Sequence, residues 1–247
     1  MGNGHLHPLN LCIGEARAAE SLGATIYEQS PVLRIEHGAK AKVVTERGSV
    51  TADSVLIAGN AYHLLEKQLR GVLFPVNSYI IGTEPLSDEL VAEINPRDVA
   101  ICDQNFSVQY FRLSADKRLL FGKRINYHGH DPDIIKRSHI PLMLKVYPQL
   151  ADVKIDYAWG GTIGVPFLRV PQLGRTASNV FYCQGYSGHG VNTTHLAGQI
   201  MADAIAGTME RFDIFADVRQ IIIPGAQTFH KPMVSLGMLY YRLRDWL

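Results

Sequence analysis

The stretch that decides the fold is Gly185-Tyr186-Ser187-Gly188-His189-Gly190-Val191-Asn192, in which three glycines join a strand-like segment to a helix-like one. Residues 179–184 before it are β-prone, and residues 194–206 after it have an amphipathic helical pattern. At such a junction, backbone N–H groups and the positive end of a helix dipole can face an electron-rich ligand. The alternative is a tight strand–helix connection without a ligand. The spacing is G-x-x-G-x-G, whereas the G-x-G-x-x-G fingerprint of dinucleotide binding occurs nowhere in the chain.

The residues that precede the turn contain a helix and several short strands. Apolar side chains recur at helical spacing over residues 8–22, and Gly23 is a good helix stop. Four β-prone segments follow, at 24–27, 32–35, 42–45 and 49–52. We expect the first of them to be a buried strand and the last two to form a hairpin. Residues 54–59 predict a parallel strand buried on both faces, because the segment is short, apolar and ends in glycine.

The pattern changes from about residue 69. Longer segments in which apolar and polar side chains alternate occur at 76–81, 106–113 and 118–125, and they are typical of an antiparallel sheet with one face exposed to solvent. A helix is expected at 134–147, with an apolar stripe of Ile135, Ile140, Leu144 and Tyr147, and a last helix at 234–247. We therefore predict an α/β fold in which an antiparallel domain, residues 69–154, interrupts an α/β domain built from residues 1–68 and 155–247.

Composition excludes several classes of function. The 247 residues carry a net charge of +1 without a basic cluster, which disfavours a nucleic-acid or membrane-surface partner. No apolar run approaches the length of a membrane span, and three scattered cysteines indicate a reducing, cytoplasmic location without structural zinc. His5 and His7 would share one face of a strand, but further metal ligands are not found, so a site-lining or capping role is preferred and no metal is expected.

Seven segments occur in an order that identifies a family. They are NGHLHP (3–8), ARAAE (16–20), YEQSPVLRI (27–35), RLLFG (118–122), WGG (159–161), LGR (173–175) and the glycine turn (185–192). Together they resemble the FAD-dependent amine and amino-acid oxidases of the D-amino-acid oxidase superfamily, and most closely the gamma-glutamylputrescine oxidases. The resemblance covers nearly the whole chain and implies an FAD-binding, Rossmann-like domain with an inserted substrate domain.

The resemblance also implies a cofactor and a reaction. FAD would be bound non-covalently, because no cysteine occurs from residue 157 to residue 175. The substrate would be a small amine of the gamma-glutamylputrescine type. Its C–N bond would be oxidised by hydride transfer to flavin N5, followed by imine hydrolysis and reoxidation of the flavin by oxygen or another acceptor.

Related oxidases begin with a strand, the G-x-G-x-x-G turn and a helix, which this sequence does not contain. Met1 is therefore expected to be an internal methionine, and the Rossmann-like domain to be incomplete. One alternative is a non-catalytic fragment that does not bind FAD alone and could associate with itself through an exposed sheet edge. A second alternative is a glycine- or sarcosine-type oxidase.

The residues implied to bind the cofactor lie in four places. They are Val32, Ala58, Gly59, Trp159, Gly160, Gly161, Gly185, Gly188, His189, Gly190, Val191 and Asn192. By resemblance, the backbone N–H groups of residues 188–191 face the pyrimidine edge of the flavin and favour its anionic reduced form. Val32 would offer its backbone to the adenine, although valine in a strand is also ordinary core. Asn192 stands where sarcosine-oxidase-like members often carry lysine, which disfavours a sarcosine-type site.

Three residues are candidates for contact with the substrate. Tyr110 and Arg112 are two apart on a predicted strand, so they project from one face. A tyrosine hydroxyl beside a guanidinium fork suits a carboxylate, and the resemblance implies such a clamp on this sheet. The alternative is a half-exposed strand with a surface arginine. His189 would face the flavin or substrate by resemblance, but a histidine packed in the turn is an equal alternative.

Overall fold

The computed structural model describes residues 4–62, 65–105, 107–124 and 131–222, and Arg124 by its backbone alone. The predicted helix at 234–247 and the strand-end residues Phe106 and Ile125 lie outside the described residues. The helices are α1 (Pro8–Ser21), α2 (Asp88–Ile94), α3 (Pro132–Val146), α4 (Gly190–Ile205) and α5 (Glu210–Ala216). The strands are β1 (Val32–Glu36), β2 (Ala41–Thr45), β3 (Ser49–Ala52), β4 (Val55–Ile57), β5 (Leu73–Thr83), β6 (Ile101–Cys102), β7 (Gln109–Leu113), β8 (Leu119–Arg124), β9 (Ile155–Pro166), β10 (Gln172–Ala177) and β11 (Val180–Gln184).

The described residues form two compact units. The inserted unit contains residues within 4–11 and 76–162, and the flanking unit contains residues within 12–75 and 163–222. The chain passes from one unit to the other inside α1 and inside the long strands β5 and β9. The mixed α/β fold with an antiparallel sheet is as predicted, whereas the domain boundaries at residues 68 and 154 remain a prediction.

The inserted unit is built on a five-stranded sheet with the order β6-β7-β8-β5-β9. Strands β5, β7 and β8 pair antiparallel, which confirms the prediction made from their alternating side chains. Phe111 and Phe121 stack with their ring centroids 5.4 Å apart in a core that α2 and α3 also help to form. Burial of such large apolar side chains contributes about 1.5–3 kcal/mol each, which fixes the register of the sheet. Tyr110 and Arg112, which alternate with the buried Phe111, are left half-buried.

The flanking unit contains two three-stranded sheets. Strands β1, β2 and β3 pair antiparallel in sequence order, and β2 with β3 is the predicted hairpin. The second sheet has the order β10-β11-β4, in which β4 runs parallel to β11. Helix α4 packs its buried residues Ala197, Ile200 and Met201 in one core with Phe181 of β11. The strand–turn–helix unit that the sequence predicted is therefore β11, the glycine turn and α4.

Two predicted features of the flanking unit are wrong. Residues 24–27 form no strand, and Ile26 and Tyr27 are exposed. No described strand pairs with this segment, and an extended segment without a neighbour forms no inter-strand hydrogen bonds to stabilise it. Strand β4 is parallel, as predicted, but it is not buried on both faces, since Leu56 is 39 % exposed. The reason is that β4 is an edge strand of its sheet within the described residues, with a neighbour on one side only. Self-association through this edge remains a prediction.

Candidate functional site

The glycine turn has backbone angles that only small or permissive residues adopt easily. Gly185 and Gly188 have φ of +81° and +89°, and Ser187 between them has φ of +54°. Glycine adopts this left-handed region without the steric penalty that a Cβ imposes. The end of the turn is exposed at Gly188, His189, Val191 and Asn192. His189 is therefore not packed inside the turn, and its side chain does not cap α4.

Three hydrogen bonds donated by backbone amides hold the turn in place. The Gly185 amide donates to Asn60 Oδ1 at 2.9 Å, and the Ser187 amide donates to the Gly164 carbonyl at 3.1 Å. The His189 amide donates to the Tyr186 carbonyl at 2.8 Å, so it is already engaged inside the turn. The first N–H groups of a helix have no acceptor within the helix. Of the four predicted donors, the His189 amide is therefore already engaged, and the assignment of the amides of Gly188, Gly190 and Val191 to a ligand remains a prediction.

Asn60 is a site residue that sequence reasoning missed. It begins the short 3-10 helix Asn60–Tyr62 directly after Gly59, with φ of +47°. A Cβ added to Gly164 would lie 2.5 Å from Asn60 Oδ1, so this amide needs a glycine opposite it. The Gly-Asn pair after a strand was a visible turn signal, but its partner Gly185 is 125 positions away. Asn60 thus connects the end of β4 to the glycine turn.

Three predicted cofactor residues lie together in an open apolar pocket of about 460 Å³. Val32, Ala58 and Gly59 line it, together with Pro31, Ile35, Val43, Val55, Leu56, Ile57, Tyr62 and Leu65. Its size and apolar lining are ordinary for a small planar ligand. Val32 lies at a bulge in β1, where the pairing with β2 shifts register after Val32↔Thr45. A bulge disrupts the local ladder, as occurs frequently beside binding sites.

The predicted carboxylate clamp lies on β7 in the inserted unit. Tyr110 Oη is 2.7 Å from Ser78 Oγ of β5, and the Tyr110 ring covers Gly122 of the neighbouring strand β8. Arg112 is half-buried and forms no ion pair with an acidic side chain in the described part of the chain. A guanidinium is always charged and usually pairs with a carboxylate when it is held at a surface of this kind. Arg112 therefore carries a positive charge that no acidic side chain of the described residues pairs with.

His5 and His7 have different roles, and the prediction that they share a strand face is wrong. Residues 4–7 form no strand, because Pro8 begins α1 directly after them. His7 Nδ1 accepts the Asn10 amide at 3.3 Å, which confirms a capping role at the start of α1. His5 Nδ1 accepts from Arg112 Nη1 at 2.8 Å, which places His5 beside the candidate clamp.

The remaining predicted residues lie on β9. Trp159, Gly160 and Gly161 belong to the inserted unit, and Trp159 is 43 % exposed. Their assignment to the cofactor remains a prediction. Within the described ranges, no three His, Cys, Asp or Glu side chains are arranged to hold a metal ion. None of the helices in the described residues is both long and apolar enough to cross a membrane.

The fold joins an α/β unit, which carries the candidate cofactor residues Val32, Ala58, Gly59 and the glycine turn, to an inserted unit built on an antiparallel sheet. The chain belongs to the FAD dependent oxidoreductase family (DAO), whose family model matches residues 1–204. FAD is the cofactor of this family. The chain is 45% identical over 246 residues to the gamma-glutamylputrescine oxidoreductase of Escherichia coli K12, and this alignment covers 99% of the chain and 58% of that protein. It is also 39% identical to the probable oxidoreductase OrdL of Haemophilus influenzae, over 98% of the chain and 57% of that protein.

Solved structures agree on the fold. Glycine oxidase from Geobacillus kaustophilus superposes with a TM-score of 0.67 at 20% identity, over 86% of this chain and 58% of that one. L-proline dehydrogenase from P. horikoshii superposes with a TM-score of 0.69 at 18% identity, over 84% of this chain and 57% of that one. The chain thus spans somewhat more than half the length of the proteins it matches. At these identities the structures support a shared fold.

The residues present fit the two ends of an FAD molecule. The apolar pocket at Val32, Ala58 and Gly59 suits a planar adenine ring, and the exposed amides of the glycine turn suit the electron-rich edge of an isoalloxazine. A Cβ at Gly185 would lie 3.1 Å from Leu73 and Pro166, so the turn is packed tightly from behind. Asn60 contacts the turn, and its neighbour Gly59 lines the pocket, which makes Asn60 the residue that links the two sites.

Replacing Asn60 tests this link. Asn60→Gly keeps a residue that tolerates positive φ but removes the acceptor of the buried Gly185 amide. We expect a loss of about 1–3 kcal/mol in the free energy of unfolding, measured by urea denaturation, since a buried donor is left unsatisfied. Asn60→Asp keeps an oxygen acceptor and should recover most of the loss. Equal destabilisation by both variants would contradict the role of Oδ1.

Proposed function

We propose that this chain takes part in the FAD-dependent oxidation of the C–N bond of a carboxylate-bearing amine of the gamma-glutamylputrescine type. The observation that carries the proposal is Arg112, a half-buried guanidinium on the face of β7 without an acidic partner among the described residues. Its neighbour on the same face, Tyr110, adds a hydroxyl group that lies 2.7 Å from Ser78 Oγ. Substrate carboxylates are bound by such a fork and hydroxyl in a geometry that is both strong and directional.

The flanking unit would hold FAD non-covalently. The pocket lined by Val32, Ala58 and Gly59 would take the adenine, and the amides of Gly188, Gly190 and Val191 would face the flavin. Bound FAD supplies the redox chemistry, because it accepts a hydride equivalent from the carbon beside the amine. The fixed amides and the start of α4 act as preorganised donors for negative charge, so they would favour the reduced state.

The residues of the inserted unit would orient the substrate. Arg112 and Tyr110 hold the carboxylate, which fixes the distance from that group to the amine that reacts. His189 is exposed at the glycine turn and is a candidate for contact with flavin or substrate. A strong general base is not required when the amine binds in its neutral form. The imine product would then hydrolyse with water.

The comparisons support a substrate of this type. The Escherichia coli relative is named for gamma-glutamylputrescine, and it is 45% identical over 99% of this chain. Gamma-glutamylputrescine contains the α-carboxylate that the clamp requires. Glycine and sarcosine also contain a carboxylate, so the clamp alone does not separate the three amines, and the choice among them depends on activity.

Anaerobic reduction of the bound flavin tests the proposal. The FAD-loaded protein should lose its visible flavin band when gamma-glutamylputrescine is added, and should lose it much more slowly with putrescine, which has no carboxylate. Glycine and sarcosine complete the panel. Faster reduction by glycine or sarcosine would favour the oxidase type named for those amines. A flavin band that gamma-glutamylputrescine leaves unchanged would overturn the proposal.

A non-catalytic fragment is the second candidate, and the edge position of β4 favours it. The outer side of β4 lacks a strand neighbour in the described part of the chain, beside the pocket proposed for adenine. An unpaired edge next to a cofactor pocket leaves that pocket open on one side. Absorption of the purified 247-residue chain after addition of FAD and removal of excess separates the candidates. A retained flavin spectrum supports the enzyme, and its absence supports the fragment.

A further inference from the structure

We propose that His5 is a positioning residue, which holds the Arg112 guanidinium through a neutral acceptor and leaves its positive charge available to a substrate carboxylate. The inference rests on the proposed function and names the residue that prepares the clamp. Its basis is a chain of contacts in the inserted unit, from the turn after α2 through His5 to Arg112.

The protonation of His5 follows from its two partners. Arg112 Nη1 is a permanent donor, so His5 Nδ1, 2.8 Å away, must be the unprotonated acceptor. The proton of the neutral ring is then on Nε2, which donates to the Asp98 carbonyl oxygen at 2.9 Å. The two hydrogen bonds fix both the tautomer and the plane of the ring. The ring in turn fixes the position of one arm of the guanidinium.

The carbonyl that orients His5 belongs to a braced turn. Asp98 has φ of +44°, an uncommon conformation for a residue with a side chain. Buried Asn95 holds this turn, because its side chain accepts from the Val99 amide at 3.1 Å and donates to the Val99 carbonyl at 2.8 Å. The Asp98 amide also donates to the Asn95 carbonyl at 3.1 Å. The turn therefore gives His5 a fixed acceptor.

The chemical identity of the acceptor decides what Arg112 can bind. A carboxylate at position 5 would hold the guanidinium as firmly but would neutralise it, and it would compete with the substrate for the same fork. The His5 imidazole accepts from only one of the five N–H donors of the Arg112 guanidinium, and it adds no negative charge. The Asp98 carboxylate is 3.7 Å from His5 Nε2, on the imidazole nitrogen opposite the one that contacts Arg112. Within the described part of the chain, the arrangement thus combines a fixed guanidinium with a positive charge that forms no ion pair with a carboxylate.

The test compares His5→Glu, His5→Gln and His5→Ala in the FAD-loaded protein. His5→Glu should raise the KM for gamma-glutamylputrescine about tenfold, with kcat at saturation and all constants for putrescine nearly unchanged. His5→Gln keeps a neutral oxygen acceptor and should stay within about twofold of the parent. His5→Ala removes the tether and should raise KM by an intermediate factor. The thermal unfolding midpoint of His5→Glu should stay close to that of the parent, because the new ion pair with Arg112 offsets the lost hydrogen bond to the Asp98 carbonyl and the repulsion from the Asp98 carboxylate.

This pattern separates positioning from a merely structural role. A structural role predicts that KM and the unfolding midpoint worsen together, whereas the proposal predicts that His5→Glu impairs KM alone. An unchanged KM in His5→Glu overturns the proposal. If Arg112→Ala raises KM while the His5 variants do not, the clamp stands and the role of His5 fails. If neither changes KM, the carboxylate clamp itself is wrong.

Discussion

Replacing Arg112 with alanine is expected to raise the KM for gamma-glutamylputrescine by about a hundredfold, because each charge-assisted hydrogen bond lost is equivalent to about 1.5–3 kcal/mol. The effect follows from the half-buried position of Arg112 on β7 and from its lack of an acidic partner in the described ranges. The constants for putrescine should change little, since this amine has no carboxylate to lose. Steady-state kinetics with both amines measures the difference. Arg112→Lys keeps the charge without the planar fork and should give an intermediate KM.

Arg118 is the matched control for this experiment. It lies just before β8 in the same unit, but its guanidinium donates to Asp116 and Asp156 and to the Thr83 carbonyl. Arg118→Ala should therefore lower the free energy of unfolding and leave the KM for gamma-glutamylputrescine nearly unchanged. A similar rise in KM in both variants would show that the effect of Arg112 is indirect. A rise confined to Arg112 would support binding of the carboxylate.

The features that could be predicted from sequence are those fixed by local chemistry. Alternation along β7 placed Tyr110 and Arg112 on one face, and the glycines of residues 185–190 predicted a turn before α4. Both patterns involve only a few neighbouring residues, so the local structure that they predict depends little on the rest of the fold. The hairpin of β2 and β3 belongs to the same class, because its two strands and its turn are adjacent in the chain.

The features that sequence reasoning missed depend on distant partners. His5 contacts Arg112 across 107 positions, and Asn60 contacts Gly185 across 125. Neither distance leaves a periodic signal, and each role depends on the strands that bring the two segments together. The error at residues 24–27 has the opposite origin, since a β-prone segment found no strand neighbour within the described residues. Local propensity is a weak guide where pairing decides the structure.

His139 shows a similar limit inside a correctly predicted helix. The predicted apolar stripe of α3 included Ile135, and the structure buries His139 and Met143 on the same face. Sequence patterns assign histidine to the polar side, but His139 Nδ1 lies 3.0 Å from the Ile135 carbonyl, one helical turn away, which satisfies this atom without water. Burial lowers the pKa of His139, so the ring is neutral in the core. A polar residue is thus compatible with this core when the helix itself supplies a partner.

Replacing Gly122 with alanine is expected to cause the second largest loss, because a Cβ there would overlap the Tyr110 ring that covers it. Tyr110 would have to rotate off β8 and would lose its 2.7 Å contact with Ser78 Oγ. We expect the free energy of unfolding to fall by about 1–3 kcal/mol, as for other overpacked sites. The KM for gamma-glutamylputrescine should rise about thirtyfold as the hydroxyl donor leaves the clamp. Urea denaturation and steady-state kinetics measure the two effects.

A double-mutant cycle shows whether the effect of Gly122→Ala acts through Tyr110. In a Tyr110→Ala background the overlapping ring is absent, so adding Gly122→Ala should change neither KM nor stability by much. Gly48→Ala is the matched control, because a Cβ at Gly48, in the loop between β2 and β3, would have no atom within 4 Å. Additive effects of the two changes would mean that Gly122 stabilises the sheet independently of Tyr110. Non-additive effects in KM would mean that the glycine holds the tyrosine in the clamp, since the ring can lie flat on β8 only where the opposite residue has no side chain.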